Sequence, residues 1–317
     1  MGILKEISTV VSVAMPIQED WTVRRCRYSS GEQDGRRLCI ATGIHGDEMM
    51  GQLVAYGVAR RMMAEPDALR GVVDIYPMLN PLGMDIGERM VPGGTRLDMN
   101  RAFPGCAGGT PMEAMCYHIM QDMMGADLVL DVHSSAPHKS EMYEVRMNAR
   151  CADKLMEHAK GLCPELIWVY PDKRAYDAQL SSALCMAGTP AMSIVLNERI
   201  RFPQESADAV VEGILHKMKQ MGMWTGQVSV APQEYIPCVR TPDEVCRITC
   251  SKPGMYVPEY RLGEYVERGA LLGVIIDALQ GEALEKVYAP SSGLVFSQRD
   301  YSAVYPGTLI ARLCRKE

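Results

Sequence analysis

A histidine and a glutamate lie three residues apart in the segment Gly43-Ile44-His45-Gly46-Asp47-Glu48. At this spacing near the start of a helix, an imidazole and a carboxylate can lie on one side. With one distant histidine they would give the two histidines and one carboxylate that catalytic zinc sites use. The pair alone is a weak signal, because a capping glutamate and a loop histidine would have the same spacing.

A second histidine follows another apolar stretch, in Asp127-Leu128-Val129-Leu130-Asp131-Val132-His133-Ser134-Ser135. In open α/β sheets, sites form outside the carboxyl ends of strands. His45 and His133 each follow a predicted strand, so we expect both at the same edge of the sheet. Asp131 is a candidate partner for the second N–H of a ligating imidazole. His138, in the loop that follows, is the competing candidate ligand.

The segment between these histidines, residues 80–110, is rich in glycine, proline and arginine and has no helical period. A long irregular segment inside a compact domain is often functional. A guanidinium group matches a carboxylate with two parallel hydrogen bonds. This segment is therefore either a pocket for an anionic substrate or a solvated charged loop.

Predicted strands and helices alternate over the first 225 residues. The strands are predicted at 37–42, 71–78, 127–132 and 191–196, and the helices at 47–64, 112–124, 149–163, 178–187 and 204–221. This alternation predicts an α/β sheet covered by helices. After residue 225 short strands with glycine and proline turns replace the helical pattern. We therefore predict two domains, a catalytic domain over residues 1–228 and a small all-β module over 229–317.

Three motifs in this order resemble those of the succinylglutamate desuccinylase/aspartoacylase family: GxHGxE, then NP with a later Arg and DxNRxFPG, then a strand ending in DxHSS. The resemblance covers about residues 35–210. This family belongs to the wider zinc-carboxypeptidase-like group, and it implies an open mixed β-sheet flanked by helices. It also implies one zinc ion (Zn2+) per chain, with His45, Glu48 and His133 as the metal ligands.

The resemblance assigns further roles to residues of the irregular segment. Arg89 matches the arginine that helps zinc polarise the scissile carbonyl. Asn100 and Arg101 match the pair that grips a substrate carboxylate, and Asp98 precedes that pair and is expected to orient it. The implied activity is that of a zinc-dependent amidohydrolase, a deacylase acting on an N-acyl amino acid with a free carboxylate.

One position departs from the family pattern. The family has a catalytic glutamate in a stretch like GxPxxxxEx, and this position falls on Val195 here. Glu198, three residues later, is the candidate general base, because the end of a strand or a bulge can re-aim a side chain. The alternative is a surface glutamate paired with Arg199 or Arg201.

Three functions remain open at this point. The first is the deacylase, whose acyl group and amino acid the sequence does not give. The second is a zinc carboxypeptidase acting on short peptides, which uses the same chemistry in a more open cleft. The third is a catalytically weakened zinc-binding or ligand-binding homologue, which Val195 favours.

The C-terminal part resembles a lipoyl/biotinyl-type barrel sandwich, through the segments 266–273, 288–293 and 304–308. The turn Ala289-Pro290-Ser291-Ser292-Gly293 has no lysine for covalent attachment of a cofactor. We therefore expect a structural, oligomer-forming or lid-like role for this module.

Composition excludes several other classes of protein. A net charge of −6 argues against a nucleic-acid partner, which would need a basic face. No apolar run approaches the ~20 residues needed to cross a bilayer, so no membrane partner is expected. Eleven cysteines without a CxxC pair indicate a reduced, cytoplasmic protein rather than a disulfide scaffold. For the oligomeric state, a homodimer is the working hypothesis.

Overall fold

The computed structural model describes residues 2–15, 20–31, 35–92, 97–135, 138–197, 204–229 and 238–314, apart from the side chain of Ala175. The strands in chain order are β1 Leu4–Ala14, β2 Asp20–Ser29, β3 Arg37–Thr42, β4 Val72–Tyr76, β5 Leu128–Ser134, β6 Lys139–Glu141, β7 Glu144–Asn148, β8 Leu166–Tyr170, β9 Ala191–Leu196, β10 Cys238–Arg240, β11 Val245–Thr249, β12 Gly254–Pro258, β13 Tyr265–Val266, β14 Leu271–Ile276, β15 Ala283–Tyr288, β16 Gly293–Arg299, β17 Ala303–Val304 and β18 Leu309–Cys314. The α-helices are α1 Met50–Ala64, α2 Pro81–Ile86, α3 Pro111–Met123, α4 Ala152–Gly161, α5 Arg174–Asp177, α6 Leu180–Met186 and α7 Gln204–Gln220.

The largest sheet is open and mixed, with the strand order β1-β2-β4-β3-β5-β9-β7-β8-β10. The central strands β4, β3, β5 and β9 are parallel, whereas β7 runs antiparallel to β9. The helices α1, α4 and α7 pack on one face and α3 and α6 on the other. The predicted α/β class, with an open mixed sheet flanked by helices, is confirmed.

Alternation along the central strands separates the two faces of this sheet. In β9, Met192, Ile194 and Leu196 enter the core on the α1 and α7 side. Ser193 and Val195 point to the opposite face, where they line a cavity. Because successive side chains of a strand point to opposite faces, the polar residues at these strand ends collect on one side.

The C-terminal region forms two antiparallel sheets that share one apolar core. One has the order β11-β18-β16-β13, and the other β15-β14-β12-β17. Over the described residues these are open sheets, as in a sandwich, rather than a closed barrel. The strand β6 pairs with β16, and β10 pairs with β8 in the large sheet. The domain boundary between residues 228 and 229 stays a prediction.

The sequence analysis did not predict three features of the fold: a short helix, an edge hairpin and a disulfide. The segment 80–110 contains the short helix α2, which Asn80 caps by accepting a hydrogen bond from the Gly83 N–H at 2.9 Å. The hairpin of β1 and β2 lies at one edge of the large sheet. Cys151 and Cys185 form a disulfide, whereas the other nine cysteines are not disulfide-bonded. The sequence analysis expected reduced cysteines rather than a disulfide scaffold and did not anticipate this one pair.

No described helix is long and apolar enough to span a membrane.

Candidate metal centre and its cavity

His45, Glu48 and His133 come together at the carboxyl ends of β3 and β5. Their ligand atoms all lie within 4.8 Å of one another, and all three side chains are buried. Nδ1 of His45 lies 2.8 Å from Oε1 of Glu48, and Nδ1 of His133 lies 2.9 Å from Oε2. Both imidazoles thus turn the same nitrogen towards one carboxylate. The structure places His45 and His133 at the same edge of the sheet, as the sequence predicted, with Glu48 beside them.

The outer nitrogens of both imidazoles are held by aspartates. Nε2 of His133 lies 2.9 Å from Oδ2 of Asp131, and Nε2 of His45 lies 3.1 Å from Oδ1 of Asp98. A carboxylate at this position fixes the ring orientation of a ligating histidine. Asp131 was expected in this role, whereas the contact of Asp98 with His45 was not.

The donor set fits a divalent metal ion. Nδ1 of His45 is buried and close to Glu48, yet it has no hydrogen-bond partner with suitable geometry among the described residues. Two imidazoles and a carboxylate with nitrogen and oxygen atoms converging in this way are the ligands that catalytic zinc uses. The described part of the chain therefore contains a cluster of residues that could hold a divalent metal ion.

Charge in this cluster is strongly coupled. Burial alone would raise the pKa of Glu48, but hydrogen bonds and charges from His133 and His45 hold it well below its usual value. Burial alone would lower the pKa of His133, but the carboxylates of Asp131 and Glu48 raise it to about 10. In the metal-free site a proton on His133 therefore balances part of the surrounding negative charge.

Two glycines allow the turn after β3 to carry these ligands. Gly43 has a φ of +65°, a conformation that most other residues adopt at a cost. A Cβ on Gly46 would lie 2.1 Å from the carbonyl carbon of Gly83. The Gly46 N–H also donates to the Arg89 carbonyl at 3.4 Å. This close packing places Arg89 beside Glu48.

Arg89, Asn100 and Arg101 surround the cluster. NH1 of Arg89 donates to Oε1 of Glu48 at 2.6 Å, and its NH2 lies 3.6 Å from Asp98. Asp98 accepts a hydrogen bond from the Asn100 N–H at 2.9 Å, which starts the 3-10 turn Met99–Arg101. Oδ1 of Asn100 accepts from the Leu180 N–H at 2.9 Å.

A cavity of about 200 Å³ opens over the metal site. Its wall is polar and includes six of the residues that the sequence predicted: His45, Glu48, Arg89, Asn100, Arg101 and His133. It also includes residues that the sequence analysis missed, among them Lys139, Glu141, Arg146 and Tyr170. The alternation of polar and apolar residues in Glu144-Val-Arg-Met-Asn148 was the signal that could have revealed β7.

The other sequence candidates have different outcomes. Val195 lines the cavity and is buried. Glu198 lies outside the described residues, as do Arg199 and Arg201, so the assignment of the base to Glu198 stays a prediction. His138 is exposed and its ring lies 4.6 Å from that of Tyr301, away from the ligand cluster.

A buried ion cluster forms the far wall of this cavity. Glu141 accepts a hydrogen bond from Arg312 of β18 at 2.8 Å and lies 3.2 Å from Arg146 and 3.5 Å from Lys139. Burial alone would raise the pKa of Glu141, but these three cations lower it to about 2. The C-terminal region thus supplies one cation that contacts Glu141, a residue of the cavity wall.

Comparisons with known proteins agree with this geometry. The sequence pattern of the succinylglutamate desuccinylase/aspartoacylase catalytic domain matches residues 34–220. No curated protein sequence matches the chain.

Solved structures match almost the whole chain. A succinylglutamate desuccinylase/aspartoacylase from Rhodobacter sphaeroides superposes with a TM-score of 0.80 at 20% identity, covering 100% of this chain and 96% of that one. The product-bound ectoine utilization protein EutE (DoeB) from Ruegeria pomeroyi gives 0.81 at 18% identity, covering 98% and 95%. A metallo-carboxypeptidase from Burkholderia cenocepacia gives 0.52 at 14% identity, covering 68% and 63%. At these identities the likeness establishes the fold.

Proposed function

The chain belongs to the succinylglutamate desuccinylase/aspartoacylase family, and we propose that it is a zinc-dependent hydrolase that removes a small acyl group from an N-acyl amino acid. The observation that carries this proposal is the convergence of His45, Glu48 and His133 in the same cavity as Asn100 and Arg101. A metal-ligand set and an anion-binding pair in one small cavity suit an amide substrate with a free carboxylate.

In this proposal each residue has a distinct task. His45, Glu48 and His133 hold one zinc ion, and Asp98 and Asp131 fix the orientation of the two imidazoles. Zinc in such a site lowers the pKa of a bound water to about 7 and polarises a carbonyl group.

The cavity residues would position the substrate. Arg101 and the amide of Asn100 bind the substrate carboxylate, and this places the amide bond beside the ligand cluster. Arg89 donates hydrogen bonds to the carbonyl oxygen as negative charge develops there. In the structure the same guanidinium forms ion pairs with Glu48 and Asp98.

The size of the cavity favours a small substrate. About 200 Å³ with a polar wall suits an N-acyl amino acid better than a peptide, which needs a longer cleft. This argues for the deacylase over the carboxypeptidase that the same chemistry would permit.

A second candidate function has one specific observation in its favour. Val195 occupies the family's glutamate position in the cavity wall, and its side chain can neither accept nor donate a proton. A protein with this residue would bind the same ligands and hydrolyse them slowly. Val195→Glu tests this reading, because a large gain in rate would indicate that the native chain lacks an efficient base.

The direct test of the proposed function is release of free amine from a panel of N-acyl amino acids by zinc-loaded protein. Short peptides with a free C-terminus complete the panel. The expected result is release from N-acyl amino acids that a chelator abolishes and that added zinc restores. Release only from peptides would favour the carboxypeptidase. No release from protein that retains stoichiometric zinc would contradict the hydrolase proposal.

A further inference from the structure

Two residues of the cavity wall carry a buried polar atom without a hydrogen-bond partner. They are His45, at Nδ1, and Gln179, at Oε1. The other described residues of this wall have no such atom. Buried polar atoms are nearly always hydrogen-bonded, so each exception calls for a partner that the chain itself does not supply. For His45 that partner is the metal ion of the proposed site, whereas the partner of Gln179 is unassigned.

Gln179 lies beside the residues proposed to bind the substrate carboxylate. It is 8% exposed, and the N–H of the next residue, Leu180, donates to Oδ1 of Asn100 at 2.9 Å. Nδ2 of the same Asn100 lies 3.5 Å from Nε2 of His133. Asn100 therefore stands between a metal ligand and the chain at Gln179. The backbone of Gln179 is held in place, because its carbonyl accepts a hydrogen bond from the Ala183 N–H at 2.8 Å.

The rest of the cavity wall is rich in hydrogen-bond donors, whereas its acceptors are in use. Four cations line the cavity: Arg89, Arg101, Lys139 and Arg146. Both carboxylates of the wall, Glu48 and Glu141, form ion pairs with these cations. The hydroxyl oxygen of Ser193 lies 2.9 Å from that of Ser181. Oε1 of Gln179 is the buried acceptor that remains without a donor among the described residues of the wall.

An N-acyl amino acid has the complementary set of polar groups. Its carboxylate and its carbonyl oxygen accept hydrogen bonds, which the cations of the wall can donate. Its amide N–H donates one, and a single carbon atom, the Cα, separates the amide nitrogen from the carboxylate. A carboxylate held by Asn100 and Arg101 therefore brings the N–H to the side of the cavity where Gln179 lies. An amide oxygen only accepts hydrogen bonds, so Oε1 suits this donor.

We propose that Gln179 binds the amide N–H of the substrate through Oε1 and thereby selects secondary amides. This inference rests on the proposed function, because it takes the substrate to be an N-acyl amino acid. With the carboxylate held by Asn100 and Arg101 and the N–H held by Gln179, the plane of the amide is fixed relative to the metal ligands. A tertiary amide has no N–H and leaves Oε1 buried without a donor, which costs binding free energy. Bound water is the alternative partner of Oε1, and it would give no preference for an N–H.

The test compares N-acetylalanine with N-acetyl-N-methylalanine on zinc-loaded protein, because the second ligand lacks the amide N–H. The preference is the ratio of their kcat/KM values if the protein hydrolyses them, and of their Kd values if it binds them without hydrolysis. We expect wild type to prefer N-acetylalanine and Gln179→Met to lower that preference by about 10-fold, the effect of a buried acceptor left unpaired. Methionine has nearly the shape of glutamine, so a merely steric preference would survive this change.

The matched control is Gln298→Met. Gln298 also has a buried Oε1 without a partner, but it lies outside the cavity wall, so the preference should stay within about 2-fold of wild type. Hydrolysis with an equal preference in wild type and Gln179→Met would overturn the inference and leave the proposed function intact. A preference seen in Kd without release of amine would support the role of Gln179 and contradict the hydrolase. Binding of neither ligand by wild type would overturn the inference.

A crystal structure of wild type with N-acetylalanine covers the case in which Gln179→Met fails to fold. Zinc is removed from these crystals by a chelator before the soak, so that the ligand is not hydrolysed. We expect the amide nitrogen of the ligand at about 2.7–3.2 Å from Oε1 of Gln179. A water molecule bound to Oε1, with the ligand nitrogen out of hydrogen-bond range, would refute the inference.

Discussion

Removal of Arg312 should destabilise the buried ion cluster around Glu141. Its guanidinium group donates to the buried Glu141 at 2.8 Å and lies 5.3 Å from the centre of the Trp168 ring. Breaking a buried pair by deleting one partner costs about 3–5 kcal/mol. Glu141 keeps Arg146 and Lys139, so we expect Arg312→Met to cost about 3 kcal/mol, near the lower limit of that range. The methionine preserves the apolar contact with Trp168, so the loss measures mainly the charge.

Urea unfolding of wild type, Arg312→Met, Glu141→Gln and the double variant measures this loss in the free energy of unfolding. A hydrogen bond to a charged group contributes about 1.5–3 kcal/mol, and the coupling energy from the cycle should lie in that range. Arg247 pairs with Arg312 in the neighbouring strand and is exposed, which makes Arg247→Met the matched control. A surface change of this kind should stay within about 0.5 kcal/mol. A loss below about 1 kcal/mol for Arg312→Met, or a coupling energy indistinguishable from zero, would refute this reasoning.

The remaining predictions concern the metal site. His45→Ala should fail to retain stoichiometric zinc, and a full zinc content in metal analysis would contradict the ligand assignment. Arg101→Ala should mainly raise KM for carboxylate substrates, and steady-state kinetics with an unchanged KM would argue against the anion pocket. Gly46→Ala should lower zinc affinity, measured by chelator competition, because its Cβ would overlap the Gly83 backbone. In metal-free protein, His133 has a pKa raised to about 10 against about 6.5 unfolded. Its stabilising contribution is therefore complete below pH 6.5 and lost as the pH rises through 10, whereas zinc-loaded protein should lack this component. Thermal melts with and without zinc test this, and identical pH dependences would contradict it.

The sequence indicated the candidate metal ligands because their placement follows from local rules. His45 follows β3 by three residues and His133 is the second-last residue of β5, and these neighbouring parallel strands end at the same edge of the sheet. Asp98, Asn100 and Arg101 could also be picked out from the sequence. They lie close together in the chain because Asp98 caps the short turn that carries Asn100 and Arg101. The helices were predicted to within a few residues where their apolar period was regular.

Less of the fold could be predicted where the strands lack a strong apolar pattern. The edge hairpin of β1 and β2 carries many polar residues. The strand β7 is short and carries two charged residues, Glu144 and Arg146, on one face. The helix α2 is only six residues long, and its start depends on the side chain of Asn80 rather than on periodicity.

Tertiary structure alone decided which charged residues lie across the cavity from the candidate metal ligands. Arg146 lines the cavity because β7 inserts antiparallel beside β9. The low pKa of Glu141 depends on Arg146, Lys139 and Arg312, of which Arg312 is 171 residues away in the sequence. The strength of a charge interaction depends on distance and burial, neither of which the order of residues specifies. The sequence alone therefore indicates the candidate metal ligands, whereas strand pairing decides which charged residues stand beside them in the cavity wall.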